Sequence, residues 1–355
     1  MATLQDIADV VGVSKVTVSK VLRGKVKGSY PRSAAQAERI RKVAKELGYR
    51  VDWRARALKT KRTNMIGLLS TDKLATHTHD PEILAGLVEV FGSAGYHLVF
   101  VRVGEGTSGR DFADARFDGL IIDYHIDPEE LEIIQQAQLP AVVINAPSPA
   151  DGIISVMPDH FEAGALAARH LLELGHRRIG FVDSSESEQA IWPRHMIGQW
   201  RAGIRREMKQ AGCLDAFIDI EPRNGTETET PETYQPLFDQ LLAGPDRLTA
   251  LIANNGDRAV DVALGLSRRM GLRCPEDVSI LCMVDEKAMP WCNPPITSVK
   301  MPFLALGREA AAQLIAGIEA DGGDRSTENP PAVKYPLEPK LIVRDSTSSP
   351  PTGDL

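Results

Sequence analysis

Cysteine is scarce: Cys213, Cys274, Cys282 and Cys292 are the four in 355 residues, and none stands in CxxC spacing. That argues against a zinc site or a disulfide framework and for reduced structural thiols. No apolar run approaches the roughly 18 residues of a membrane span. The opening Met-Ala-Thr-Leu-Gln-Asp has no basic stretch followed by an apolar one, so the expected compartment is the cytoplasm. GxxxxGK[ST], GxSxG, HExxH and SxxK are missing where a site would need them, so no enzyme is expected. One literal dinucleotide motif is present, Gly104-Glu-Gly106-Thr-Ser-Gly109, with Asp123 beyond it. It follows the second strand-like run, not the first, and leaves only Arg110 to Arg116 for a helix, which favours a compact surface loop over a cofactor site. No cofactor is expected. His77-Thr-His79-Asp80 has metal-ligand residue types, but such a run in a βα loop is more often polar loop chemistry, and no metal is expected either.

With 43% hydrophobic, 5% aromatic and 25% charged residues, the chain has the composition of an ordinary globular protein and enough length for two or three domains. Charge is unevenly placed. Residues 1–63 carry sixteen Lys and Arg against five Asp and Glu, about +11, while the rest carry 25 against 43, about −18. A basic head on an acidic body points to a DNA grip joined to something else. Thr3-Leu-Gln-Asp6 is a capping box for a first helix with Leu4, Ile7, Ala8 and Val11 on one face. Gly12-Val13 breaks it, and Ser14 can cap a second helix, Lys15 to Leu22. Val18, Val21 and Leu22 then point inward and Lys15, Val16, Thr17, Ser19 and Lys20 outward. This is a helix-turn-helix pattern with a second helix suited to the major groove. A third helix is expected over 33–47, capped by Ser33, stopped by Gly48, with Ile40, Val43, Ala44 and Leu47 inward. Beyond Tyr49 a basic connector, residues 50–62, precedes the first strand-like run at Met65.

From there apolar runs alternate with helical patterns: 66–69, 98–101, 120–122, 142–144, 179–182, 251–252 and 278–281. Parallel α/β sheets are expected.

Asp6-Ile-Ala with Gly12-Val-Ser-Lys-Val-Thr-Val-Ser-Lys-Val-Leu22, Glu46-Leu-Gly-Tyr49, Arg56-Ala-Leu58 and Arg62-Thr-Asn-Met-Ile-Gly67 resembles the LacI/GalR family of bacterial transcription regulators. So do Gly175-His-Arg-Arg-Ile179, Pro275-Glu-Asp-Val-Ser279 and Leu341-Ile-Val-Arg344, and the likeness runs through nearly the whole chain. It implies an all-α helix-turn-helix headpiece plus an α/β, periplasmic-binding-protein-like body of two parallel-sheet subdomains. The implied domains are a DNA-binding headpiece at 1–49, a hinge at 50–63, an effector-binding and dimerisation domain at 64–345, and a flexible tail at 346–355. The subdomains are expected at 64–165 plus 294–324 and at 166–293 plus 325–345.

The resemblance implies that Lys15, Val16 and Lys20 read bases while Ser14, Thr17 and Ser19 meet phosphates, with Thr3 also in the DNA-binding set. Lysine suits guanine O6 and N7, and valine a thymine methyl. Leu58 matches the residue that the family wedges into the minor groove, flanked by Arg54, Arg56 and Lys59. Gly24 to Pro31 is longer than the usual family turn, which leaves Lys25 and Lys27 as new phosphate contacts.

The implied partners are a double-stranded, palindromic operator, a second copy of the chain and a sugar-like small-molecule effector. The expected effector-binding set is Asp72, His79, Asp80, Asp159, Arg194, Met196, Asp257, Val284, Asp285 and Phe303. Departures are concentrated here. Met196 stands where the family has its cleft arginine and Val284 where it has the first acid of a paired motif, so bidentate grip on a polyol is weakened. Three readings stay open: another effector class, a site rewired around Arg194, His79, Asp80 and Asp159, or no small effector at all, with control by a protein partner or by no effector. For Asp159 and Asp257 the competing role is helix capping. Trp200 and Trp291 suit a core or an interface. A solute-binding protein would lack the head, and an NAD-dependent enzyme has no catalytic constellation here. The C-terminal residues hold no heptads, which favours a dimer over a tetramer.

Overall fold

A computed structural model describes residues 2–22, 31–49, 62–70, 80–102, 117–123, 128–148, 153–183, 191–220, 237, 239, 244, 247–320 and 334–351. The chain divides into two compact units, residues 1–63 and 64–355.

The first unit contains α1 (Leu4–Val11), α2 (Lys15–Leu22) and α3 (Pro31–Glu46). The capping box forms: the Thr3 amide donates to Asp6 Oδ2 at 2.8 Å and the Asp6 amide donates to Thr3 Oγ1 at 3.3 Å. Gly12, at φ 75°, ends α1 in the left-handed conformation that glycine adopts without strain. The third helix starts at Pro31, not after a Ser33 cap, because proline's fixed φ suits a first helical position. Ile7, Ala8, Val18, Val21, Ala37, Ile40, Val43 and Ala44 form one buried core. Leu47 was expected inward but is 40% exposed, because the chain turns at Gly48, one residue later. Ala37 helps fill the interior instead.

The second unit holds two six-stranded sheets. The first contains β1 (Met65–Ser70), β2 (His97–Arg102), β3 (Gly119–Asp123), β4 (Ala141–Ile144), β5 (Ile154–Pro158) and β11 (Lys334–Leu337), ordered β11-β5-β4-β3-β1-β2. Its pairs are all parallel. The second contains β6 (Ile179–Val182), β7 (Phe217–Ile220), β8 (Ala250–Ala253), β9 (Ser279–Cys282), β10 (Thr297–Lys300) and β12 (Lys340–Ile342), ordered β12-β10-β9-β8-β6-β7. Only β10–β12 is antiparallel. Among the described residues the α-helices of this unit are α4 (Asp80–Ala94), α5 (Pro128–Gln136), α6 (His160–Glu173), α7 (Ile191–Gln210), α8 (Gly256–Gly265) and α9 (Phe303–Ala320).

The expected partition of the sheets needs three corrections. The chain leaves the first sheet at Pro158, so α6 lies wholly beyond the first crossing and packs on α7, β10 and β12. Strand β10 stays in the second sheet, and the chain crosses back only with α9, which packs on α4 and β3 to β5. Strand β11 completes the first sheet, so the final crossing falls after Leu337. Hydrophobic runs reveal strands but not which sheet pairs them.

Two helix pairs approach through glycine. A Cβ on Gly164 would meet the Trp200 carbonyl at 2.1 Å, and one on Gly203 the Phe161 carbonyl at 2.0 Å, so α6 and α7 touch backbone to backbone. Gly86 and Gly307 do the same for α4 and α9.

Residue 346, where a flexible tail is expected to begin, is held in the fold. Ser346 is buried: its hydroxyl donates to the Ile280 carbonyl at 2.6 Å and accepts the Thr297 amide at 2.8 Å. Polar residues pair there with sheet edges, which an absence of heptads could not reveal. His176, 1% exposed, shares this network. Its Nε2–H donates to the Ser348 carbonyl at 2.8 Å, and Nδ1 lies 2.9 Å from Thr249 Oγ1. Burial, reinforced by His170 and Arg177 nearby, holds the imidazole below its ordinary value of 6.5. The unfolded chain therefore takes up this proton first. Stability should be full above pH 6.5 and fall as pH drops below it. Melting curves of wild type and His176→Gln between neutral and mildly acidic pH should converge on acidification; parallel curves would remove His176 from the pH response. Burial also pushes the Cys274 thiol up to about 12 and raises that of Cys282, which suits inert structural thiols.

Candidate nucleic-acid interface and ligand cleft

Ser14 Oγ accepts the Thr17 amide at 3.1 Å and lies 2.8 Å from the Thr17 hydroxyl, so both are tied into the start of α2. At 3.6 residues per turn, Lys15, Ser19, Val16 and Lys20 fall within an arc of about 140°. Val18 and Val21 anchor the opposite face at 0% and 3% exposure. Lys15, Val16 and Lys20 are exposed, Val16 by 63%, while Thr17 and Ser19 are half-buried. A valine this exposed gains nothing from folding and is available to a partner. Arg54, Arg56, Leu58 and Lys59, with the loop bearing Lys25 and Lys27, lie outside the described residues.

In the second unit, polar residues mark the C-terminal ends of the central strands of both sheets, where open parallel sheets bind ligands. Asp123 ends β3, Asn145 follows β4, Asp159 follows β5, Asp183 follows β6, Asn254 follows β8 and Asp285 lies beyond β9. Asp123, Asn145, Asp183 and Asn254 are all buried. Asp183 accepts Arg201 Nη2 at 3.0 Å through Oδ2 and Asn254 Nδ2 at 3.0 Å through Oδ1. Arg201 also reaches Asp219 Oδ1 at 2.7 Å and stacks on Phe181. Asp285 Oδ1 accepts Arg344 Nη2 at 2.7 Å and the Ser298 hydroxyl at 2.6 Å. Glu286 Oε1 accepts the Gly256 amide at 2.9 Å at the start of α8.

The expected effector residues scatter over several roles. Asp159 caps α6, its Oδ1 accepting the Glu162 amide at 2.8 Å. Asp257 is exposed in the first turn of α8, where Asn255, not Asp257, is the cap. The Asp285 carboxylate is already engaged by Arg344. Val284 and Phe303 belong to the main hydrophobic core, and half-buried Met196 packs against both that core and the one around Ala146 and Met157. Asp72 and His79 lie outside the described residues; Asp80 opens α4 and Arg194 lies in α7, with only their backbone described. Asn145, Asp183 and Asn254 are not among the expected effector residues, and Asp123 is expected only beside the dinucleotide motif. Their signal was legible: Val-Val-Ile-Asn145, Gly-Phe-Val-Asp183, Leu-Ile-Ala-Asn254 and Leu-Ile-Ile-Asp123 each end an apolar strand in one polar residue. Trp200 is core, at 1% exposure, and Trp291 is 88% exposed. Among the described residues no helix is long and apolar enough to cross a membrane, and no group of three His, Cys, Asp or Glu could hold a metal. The motif at 104–109 and His77 also lie outside them.

Residues 3–52 match the model of bacterial regulatory proteins of the lacI family, and residues 168–347 that of a periplasmic binding protein-like domain. The HTH-type transcriptional repressor PurR of Vibrio vulnificus (strain CMCP6) is 29% identical over 360 residues, spanning 98% of each chain. Among solved structures, the lac repressor dimer bound to operator and the anti-inducer ONPF shares the fold at TM-score 0.75 and 21% identity, over 98% of this chain and 99% of that one. A transcriptional regulator CelR–cellobiose complex gives TM-score 0.64 and 25% identity over 98% of this chain and 100% of that one.

Proposed function

The chain belongs to the lacI family of bacterial regulatory proteins and is a DNA-binding transcriptional repressor, and from that premise we propose that it acts as a homodimer on an approximately palindromic operator under control of a small molecule held in the cleft. The observation that carries this is the α2 face: Lys15, Val16 and Lys20 exposed on one side, Val18 and Val21 locked into a core on the other. We assign residues 1–49 to reading DNA, 50–63 to a hinge in which Leu58 enters the minor groove, and 64–345 to sensing and pairing. Two heads related by a two-fold axis match inverted half-sites. Pairing is supported by exposed apolar residues around one core: Leu264 on α8, 43% exposed, and Trp291, 88% exposed. Their neighbours Val262 and Met289 are buried in that core, and Ala263 and Cys292 pack against it. The cleft lies between the strand ends of the two sheets, and a sugar-like occupant agrees with the cellobiose of one fold neighbour. Differential affinity of that occupant for two subdomain arrangements would couple the cleft to the hinge. The setting is the cytoplasm.

Replacing Lys20 with alanine should weaken binding to the preferred operator by about 1–3 kcal/mol and relax base choice at one position of each half-site. Competition between operator variants would check this. Unchanged base selectivity in the variant removes Lys20 from base reading, and with it the assignment of the α2 face.

A further inference from the structure

We infer that Val16 reads the C5-methyl group of one base in each half-site and accepts thymine and 5-methylcytosine alike, so that cytosine methylation of DNA changes which sites the protein binds. The inference rests on the assignment of the α2 face to base reading. Val16 stands in the first turn of α2, the end of a recognition helix that meets base edges. Of the valines in this helix, Val18 and Val21 are buried, whereas Val16 is 63% exposed. It is part neither of the core of the head nor of the half-buried fringe packed on that core. A β-branched residue there also lowers helix propensity, which alanine or glutamine would raise. Neither the helix nor the core therefore accounts for it. Exposure alone decides little, since Val10 on α1 is 56% exposed too. Place decides, because Val16 lies inside the arc bounded by Lys15 and Lys20.

Chemistry then names the base feature. In the major groove the base pairs offer hydrogen-bond donors, acceptors and one kind of apolar group, the C5-methyl of thymine. The γ-carbons of Val16 can neither donate nor accept, so over any other edge they strip water from polar atoms and return no bond. Against a methyl they bury apolar surface on both sides. 5-Methylcytosine carries the same methyl on the same ring carbon. It presents an amino donor where thymine has O4, and a valine has no group that tells these apart. Lys20 does not supply the distinction at that base pair. It lies four residues on along the same stripe, about 6 Å up the axis, which is nearly two base-pair steps. Lys15 stands about 100° away around the helix. The ammonium groups therefore address neighbouring pairs, and the base opposite Val16 is chosen by its methyl.

The probe is the strongest duplex that the full-length protein selects from a random pool, and the readout is affinity in competition binding. Each thymine of the half-sites is replaced in turn by deoxyuridine, which removes the methyl and nothing else. At one thymine per half-site the change should weaken wild type about fourfold, the weight of one methyl-sized group returned to water. Cytosine at that position should bind weakly, and 5-methylcytosine should bind like thymine. Val16→Ala should bind the thymine and uracil duplexes equally, and should match wild type on the uracil duplex, which shows its head folded. No response to uracil at any thymine, with selectivity still relaxed by Lys20→Ala, overturns methyl reading and leaves the base-reading face standing. A uracil effect that survives in Val16→Ala assigns the methyl to another residue and overturns the role of Val16. Equal binding of cytosine and 5-methylcytosine overturns the acceptance of methylated DNA. Binding of every duplex with one affinity overturns the α2 assignment and this inference together.

Discussion

Truncating Ile40 to alanine is expected to abolish sequence-specific DNA binding while leaving the melting of the second unit unchanged. Ile40 is fully buried at the centre of the small core that joins α1, α2 and α3. Removing its outer carbons costs about 2–5 kcal/mol, the lost transfer energy plus the cavity. At about 0.05–0.15 kcal/mol per residue, a unit of some sixty residues has only roughly 3–9 kcal/mol of stability. The loss is therefore comparable with everything that holds the head together. Without that core Val18 and Val21 have nothing to pack on, and Lys15, Val16 and Lys20 cease to form one face. Operator titration by fluorescence anisotropy, with calorimetry on the same sample, would separate the two units. Wild-type affinity in the variant would mean that the recognition face does not depend on this core.

Gly203→Ala should be the most damaging single-methyl change in the second unit. The new Cβ would sit 2.0 Å from the Phe161 carbonyl and 2.7 Å from the Ala165 amide, both backbone atoms that no rotamer change can move. Overpacking costs about 1–3 kcal/mol where side chains can adjust, and here α6 and α7 must separate, so about 3 kcal/mol is expected. For a unit spanning residues 64–355, at about 2.1 cal/mol/K per residue, that lowers the melting temperature by roughly 5 °C. The damage should also reach the cleft, because α6 is capped by Asp159 and α7 carries Met196 and Arg201. Gly198 on α7 is the control: a Cβ there meets nothing within 4 Å, so Gly198→Ala should stabilise, by up to about 1 kcal/mol from helix propensity. Equal melting of the two variants would contradict the close approach of the helices.

What was legible in the sequence depended on whether it was local. The capping box, the glycine stop of α1 and the two faces of α2 need only neighbours three or four residues away, and they form as read. The strands with continuous apolar runs were equally plain. Strands β5 and β10 were not, because Ser155, Thr297 and Ser298 are buried in them and hydrogen-bonded, so polarity hid the pattern. The three crossings between sheets follow from strand order, which periodicity does not encode. In the cleft, the strand-end residues follow from a repeated apolar-then-polar pattern, but their partners do not. Arg344 lies 59 residues from Asp285, and only the fold brings them together. The same distance effect hid the ion pair that Asp285, an expected ligand group, makes with Arg344.

The most direct measurement of the central claim is selection of bound duplexes from a random pool by the full-length protein, followed by footprinting on the winner. Enrichment of two inverted half-sites centred about one helical turn apart, each protected, is the predicted outcome. Binding of every duplex with one affinity, or protection of a single unrepeated site by one head, would contradict a dimeric repressor that reads its operator through α2.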